Sequence, residues 1–245
     1  MAKLSAKTKI KREGTKRSGL ADERVHRELY AAIIGHSIPP GTALLEDGLA
    51  NAFKVSRTVI RKVLQRLSHE KMVDIIPNKG ASVAKPSADE ARQVFEARRE
   101  VERILVERAV RTASDAELKN LVKLSKLEEQ AHARGHKADR LKLSGEFHRQ
   151  LAALARNAVL ESFLTELVSR TSLIIALYES PGAVPCSHTE HLEIGNAMIL
   201  RDAKKAVEYM EHHLHHIEAQ IDLTSHAVAP DFQNLFAQRI TKRKS

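Results

Sequence analysis

Between Ala21 and Ala84 the chain runs through three helical periodicities and then a hairpin, an order that few folds accommodate. Val25, Leu29, Tyr30, Ile33 and Ile34 recur at helical spacing from Ala21 to Gly35, and Gly35 with Pro39, Pro40 and Gly41 ends that helix. A short second helix follows over Glu46 to Phe53, with Leu49 and Ala50 facing inward. Lys54-Val55-Ser56 makes the turn into a third, where Ser56 caps the run Arg57 to Glu70 and Val59, Ile60, Val63, Leu64 and Leu67 form the buried stripe. Two β-rich runs, Met72 to Ile76 and Ala81 to Ala84, then flank the turn Pro77-Asn78-Lys79-Gly80. Helix, helix, recognition helix and hairpin in this order predict a winged helix-turn-helix.

Such an element reads DNA by placing the amino end of its third helix in the major groove, where arginine bonds a guanine edge through two donors. Arg57 and Arg61 project one turn apart on much the same face and are expected to contact bases. Ser56, Thr58, Lys79 and Gly80 are expected to hold the backbone, while Lys62 and Arg66 point elsewhere. The alternative is a solvated basic face. Forty basic residues against thirty-one acidic ones give a net charge of +9, which favours a polyanionic partner without naming it.

Residues 1–19 carry seven basic residues against one glutamate and read as a disordered basic arm, either adding phosphate contacts or serving no role. The winged domain is assigned to 20–85. Ser87 caps the next helix with Glu90 three residues on, and residues 88–224 read as a second, all-helical domain. Its helices are expected over about 88–112, 115–135, 139–156, 159–179, 188–200 and 202–224, packed as an antiparallel bundle because the connections are short. Residues 225–245 read as a loose basic tail. No run of apolar residues is long enough for a membrane span, and the polar amino terminus lacks the apolar centre of a secretory signal, so a cytoplasmic location is expected. The single cysteine, Cys186, has no internal disulfide partner.

Ile34-Gly35, Pro39-Pro40-Gly41, Leu49-Ala50, Val55-Ser56-Arg57-Thr58, Arg61, Leu64, Leu67, Gly80 and Val83 together resemble the DNA-binding domain of the GntR regulators over about sixty residues. Val59 and Val63 stand where members of that family often have proline and alanine, and Asp47 where some have a basic residue. In the second half, Arg98 and Glu102, Phe147-His148 with Asn157, Glu190-His191 and His213 resemble the successive motifs of the FadR-type branch, whose effector domain is called FCD. The resemblance implies a divalent transition metal, zinc or nickel, on His148, His191 and His213, helping to hold a carboxylate effector. In that branch an aspartate four residues before the first of these histidines commonly completes the site; here it is Ser144, a poor ligand. Cys186 could approach as a substitute, whereas Glu146 would face away. Arg98 either binds the effector carboxylate or pairs with Glu102, and Ser144, Ser169, Arg170 and Ser172 are further candidates to line the effector cavity, with Glu102 also assigned to the effector site.

The expected protein is thus a homodimeric transcription regulator, a repressor by family habit, whose grip on operator DNA changes when a small carboxylate binds its helical domain. Two alternatives stand beside it. One is a metal-dependent hydrolase using the three histidines around an activated water. The other is a ligand-insensitive DNA-binding protein whose helical half only dimerises.

Overall fold

The computed structural model describes residues 20–35, 37–77, 79–179 and 188–223. The expectations for the basic arm, the tail beyond 223 and Cys186 lie outside the described residues. Residues 20–34 form α1, followed by α2 (Glu46–Phe53), α3 (Arg57–His69), β1 (Val73–Ile76) and β2 (Gly80–Val83). Then come α4 (Ala88–Thr112), α5 (Asp115–Ala133), α6 (Lys137–Leu154), α7 (Ala158–Tyr178), α8 (His188–Ile199) and α9 (Ala203–Ala219).

The amino-terminal head folds as its periodicity dictates. Val25, Leu29 and Ile33 of α1 meet Ile60, Val63, Leu64 and Leu67 of α3, all buried. Ser56 starts α3 as a true N-cap, its hydroxyl accepting the Val59 N–H. β1 and β2 pair antiparallel with Val73 opposite Val83 and Ile76 opposite Gly80. Gly80 sits at φ +90°, a left-handed conformation that a side chain would strain, so the wing turn depends on glycine there.

The carboxy-terminal helices pack around one core that includes Phe95, Phe147, Leu151, Leu164 and Met210. Burying each large side chain in it contributes about 1.5–3 kcal/mol. Ser87, Ser114, Asn157 and Asp202 each cap the helix that follows them, and Ser114 with Glu117 forms a full capping box. The last helix is shorter than its sequence reads. It ends at Ala219, Gln220 caps it, and Ile221 makes a β-bridge to Glu179, which carries the chain back to the end of α7.

Head and bundle are joined by packing as well as by the short linker. Leu141 of α6 and Leu173 of α7 belong to the head's own apolar cluster. Tyr178 donates its hydroxyl to the Pro86 carbonyl at 3.0 Å. The Tyr30 hydroxyl on α1 lies 2.9 Å from Ser169 Oγ on α7 and 3.3 Å from Arg149 Nη1 on α6.

Candidate metal centre and nucleic-acid interface

His148 on α6, His191 on α8 and His213 on α9 come together at the centre of the bundle, all fully buried. Their Nε2 atoms stand 3.1 Å apart between His191 and His213, and 3.3 Å apart in the other two pairs. Each Nδ1 faces a carboxylate: His148 to Glu102 of α4 at 2.5 Å, His191 to Glu128 of α5 at 2.7 Å, and His213 to Glu190 of α8 at 2.8 Å. Glu102 is itself clamped by Arg98 Nε at 2.6 Å, so this ring is oriented by a buried guanidinium–carboxylate–imidazole chain. Phe147 stacks on His191 with ring centroids 4.3 Å apart.

Helix packing explains why the rings converge. A Cβ added to Gly195 would stand 2.6 Å from Val122 Cγ2, so only glycine lets α8 approach α5 this closely. His191, one turn earlier, thereby comes within reach of Glu128. Gly195 is the sequence signal for that approach.

Burial pushes the His148 imidazole well below its ordinary value of 6.5, and the charges of Arg98 and His191 add to the effect. Burial, then His191, does the same to His213. A neutral ring whose Nδ1–H donates to a carboxylate keeps its lone pair on Nε2. Three such lone pairs aimed at one another within 3.3 Å repel unless a cation lies between them. Imidazole nitrogens held about 2.0–2.1 Å from a tetrahedral zinc would themselves be about 3.3 Å apart. The buried carboxylates agree: Glu128 has a single described partner, His191, and its Oε1 has none. The donor set therefore fits a divalent transition metal.

The depressed imidazoles predict a pH dependence for the metal-free chain. His148 and His213 are neutral when folded, but in the unfolded chain they take protons near pH 6.5. Below that pH the unfolded state binds more protons, so stability falls as pH drops and is flat above it, with a slope approaching about 1.4 kcal/mol per pH unit for each ring. Urea midpoints of chelator-treated protein from about pH 8 to about pH 5 check this, and a midpoint that holds steady through acid would refute neutral buried rings.

A cavity of about 50 Å³ opens beside His148, lined by Arg98, Arg140, Ser144, Thr171, Ser172 and Gln220 among others. Ser144, one turn before His148, borders the cavity. Arg98 lines it while its Nε pairs with Glu102. Glu102 is fully buried behind the triad, where it orients His148. Arg170 departs from expectation: it bridges α7 to α4 through Glu90 at 2.9 Å and also reaches Glu166 at 3.4 Å, away from the cavity lining. Its length lets it satisfy surface carboxylates rather than turn inward. Glu146 pairs with Arg149, away from the triad.

On the head, Arg57, Arg61, Lys79 and Gly80 line one groove between recognition helix and wing. Ser56 and Thr58 are exposed beside it. Both arginines are more than half exposed and tied to α2: Arg61 to Glu46 at 2.8 Å, Arg57 to Asp47 at 3.1 Å and Glu46 at 3.6 Å. The hydrogen bond from Arg61 holds the Glu46 carboxyl below its ordinary range. Sequence reasoning set Asp47 aside and overlooked Glu46, although both lie in the first turn of α2. Lys62 pairs with Asp22 and Arg66 with Glu23 and Glu70, off the groove as expected.

The family model described as bacterial regulatory proteins of the gntR family matches residues 21–83, and the FCD domain model matches residues 93–216. Over 189 residues the chain is 28% identical to the Nta operon transcriptional regulator of Aminobacter aminovorans, covering 77% of this chain and 87% of that protein. It is 25% identical over 203 residues to the HTH-type transcriptional repressor RspR of Escherichia coli, covering 82% and 88%. Among solved structures, Escherichia coli McbR/YncC superposes with a TM-score of 0.71 at 17% identity, covering 81% of this chain and 95% of that one. A putative GntR regulator from Rhodococcus sp. RHA1 gives 0.69 at 23% identity, with 81% and 96% covered, so both share the fold.

Proposed function

Because the chain belongs to the GntR family of transcription regulators and carries an FCD domain, we propose that it is a repressor whose operator affinity is set by a small carboxylate bound beside a metal in the helical domain. Membership of a regulator family replaces the hydrolase alternative. The observation that carries the metal is the convergence of three Nε2 atoms with a carboxylate behind every ring. His148, His191 and His213 would hold the ion, which supplies a Lewis-acidic site for a carboxylate; Ser144 leaves coordination positions open to that ligand. Arg98 is the second hand on it, reaching the cavity while Glu102 steadies its charge.

In this reading Arg57 and Arg61 read base edges, and Ser56, Thr58, Lys79 and Gly80 hold the backbone. The regulator acts in the cytoplasm as a homodimer, since a two-fold protein matches two half-sites. Val159 and Phe163, 64% and 55% exposed and one turn apart on α7, support a second copy as partner. Among the described residues no helix is long and apolar enough to cross a membrane.

Metal analysis of protein purified without chelator tests the core of this reading. About one zinc or nickel per chain is expected, and His191→Ala should abolish retention through gel filtration. Glu128→Gln should weaken it by about 10–100-fold. Wild-type protein that takes up neither metal would remove the metal from the mechanism.

A further inference from the structure

Arg140, His148 and the intervening Ser144 lie at successive i, i+4 positions on α6 and all border the same cavity. The two ends of this stripe are eight residues apart, about 12 Å along the helix. Arg140 is only 6% exposed, yet among the described residues its guanidinium has neither an ion-pair partner nor a hydrogen-bond acceptor. Two neighbouring arginines, by contrast, are matched. Arg98 has Glu102, and Arg149 has Glu146. Glu179, the acidic residue of the lining, makes no ion pair with Arg140 and has contacts of its own.

A guanidinium so little exposed gives up much of its hydration, and no described side chain is paired with it in exchange. It is retained where a ligand supplies the missing anion, and arginine's forked donors suit a carboxylate or phosphate. Glu128 and Glu190 already balance a divalent ion at the triad, and Arg98 is balanced by Glu102. Arg140, two turns along α6 from His148, is therefore the arginine of the lining that no described residue pairs.

We propose that Arg140 is the receptor for a second anionic group on the effector, so that the ligand is a small dianionic acid. One carboxylate lies at the histidine end beside Arg98; a second carboxylate or a phosphate is bound by Arg140. The assignment rests on the carboxylate-sensing reading above and narrows its ligand class.

Calorimetric titration of full-length, metal-loaded protein tests it with three 2-hydroxy acids: L-lactate, with no second anion, L-malate, with a second carboxylate, and 3-phospho-D-glycerate, with a phosphate. At least one dianion is expected to bind about 10–100-fold tighter than lactate, the worth of a charged hydrogen-bonded pair. Which one does so identifies the second group. Arg140→Gln should erase that gain while leaving lactate affinity unchanged, and Arg140→Lys should keep part of it. Since Arg140 has no partner to lose among the described residues, the Gln variant should melt no lower than wild type in the absence of ligand. Dianions no better than lactate, a gain that survives Arg140→Gln, or a Gln variant that fails to fold would each overturn the assignment. If no acid binds metal-loaded protein, the carboxylate-sensing reading falls with it. An Arg140-dependent gain in a chain that takes up no metal upholds this proposal and removes only the ion.

Discussion

Glu102→Ala should lower the unfolding free energy of the metal-free chain by about 3–5 kcal/mol, the usual result of removing one partner of a buried ion pair. Arg98 is 3% exposed and Glu102 is completely buried, so the variant would strand a guanidinium in the bundle core and leave the His148 Nδ1–H without an acceptor. For a chain of this size the loss corresponds to a melting temperature lower by about 6–20 °C. Thermal and urea unfolding measure it. A change below about 1 kcal/mol would mean that water reaches the pair and that its burial is not what stabilises it. Replacing Arg98 and Glu102 together by methionine should cost far less, because no charge is then left unpaired. The His148 ring would still lose its orienting carboxylate, so that double variant should fold well while binding metal weakly.

The recognition helix supplies the second large effect. Arg57→Ala and Arg61→Ala are each expected to weaken binding to a duplex selected from random sequence by about 1–3 kcal/mol, or about 5–150-fold, and to relax the preference at one base pair. The Arg57→Ala/Arg61→Ala double variant should approach the affinity for unselected DNA. Fluorescence anisotropy on selected and random duplexes decides the matter: an equal loss on both would reassign these arginines to phosphates. Because Glu46 and Asp47 hold the two side chains in the free protein, binding exchanges a carboxylate for a base edge, which trims the net gain.

The head was legible in the sequence because its signals are local. Apolar spacing named the buried face of α3, Ser56 and Ser87 marked helix starts, and Pro77 to Gly80 marked the wing turn. The triad was legible only through the family resemblance. His148, His191 and His213 are separated by 43 and 22 positions, and no local pattern brings α6, α8 and α9 to one point. Glu128 is one of many acidic residues on an amphipathic helix, and its role depends on the close approach at Gly195. Arg140 was overlooked for a similar reason. In sequence it reads as an ordinary surface arginine near a helix start, and only the tertiary packing around the cavity makes it buried. Arg170 erred the other way, because an arginine in an apolar helix suggests a cavity and the structure gives it surface carboxylates instead.

The hydroxyl of Tyr30 touches both Ser169 and Arg149, and Arg149 is the next residue after His148. These hydrogen bonds tie α1 of the DNA-reading head to the helix that carries His148. Linkage makes such a connection run in both directions. If a bound acid changes operator affinity by some factor, operator DNA must change acid affinity by the same factor. A molecule seated on its operator would thus answer to a different concentration of its signal than one free in solution, and the set point of the response would depend on how many operators the cell contains.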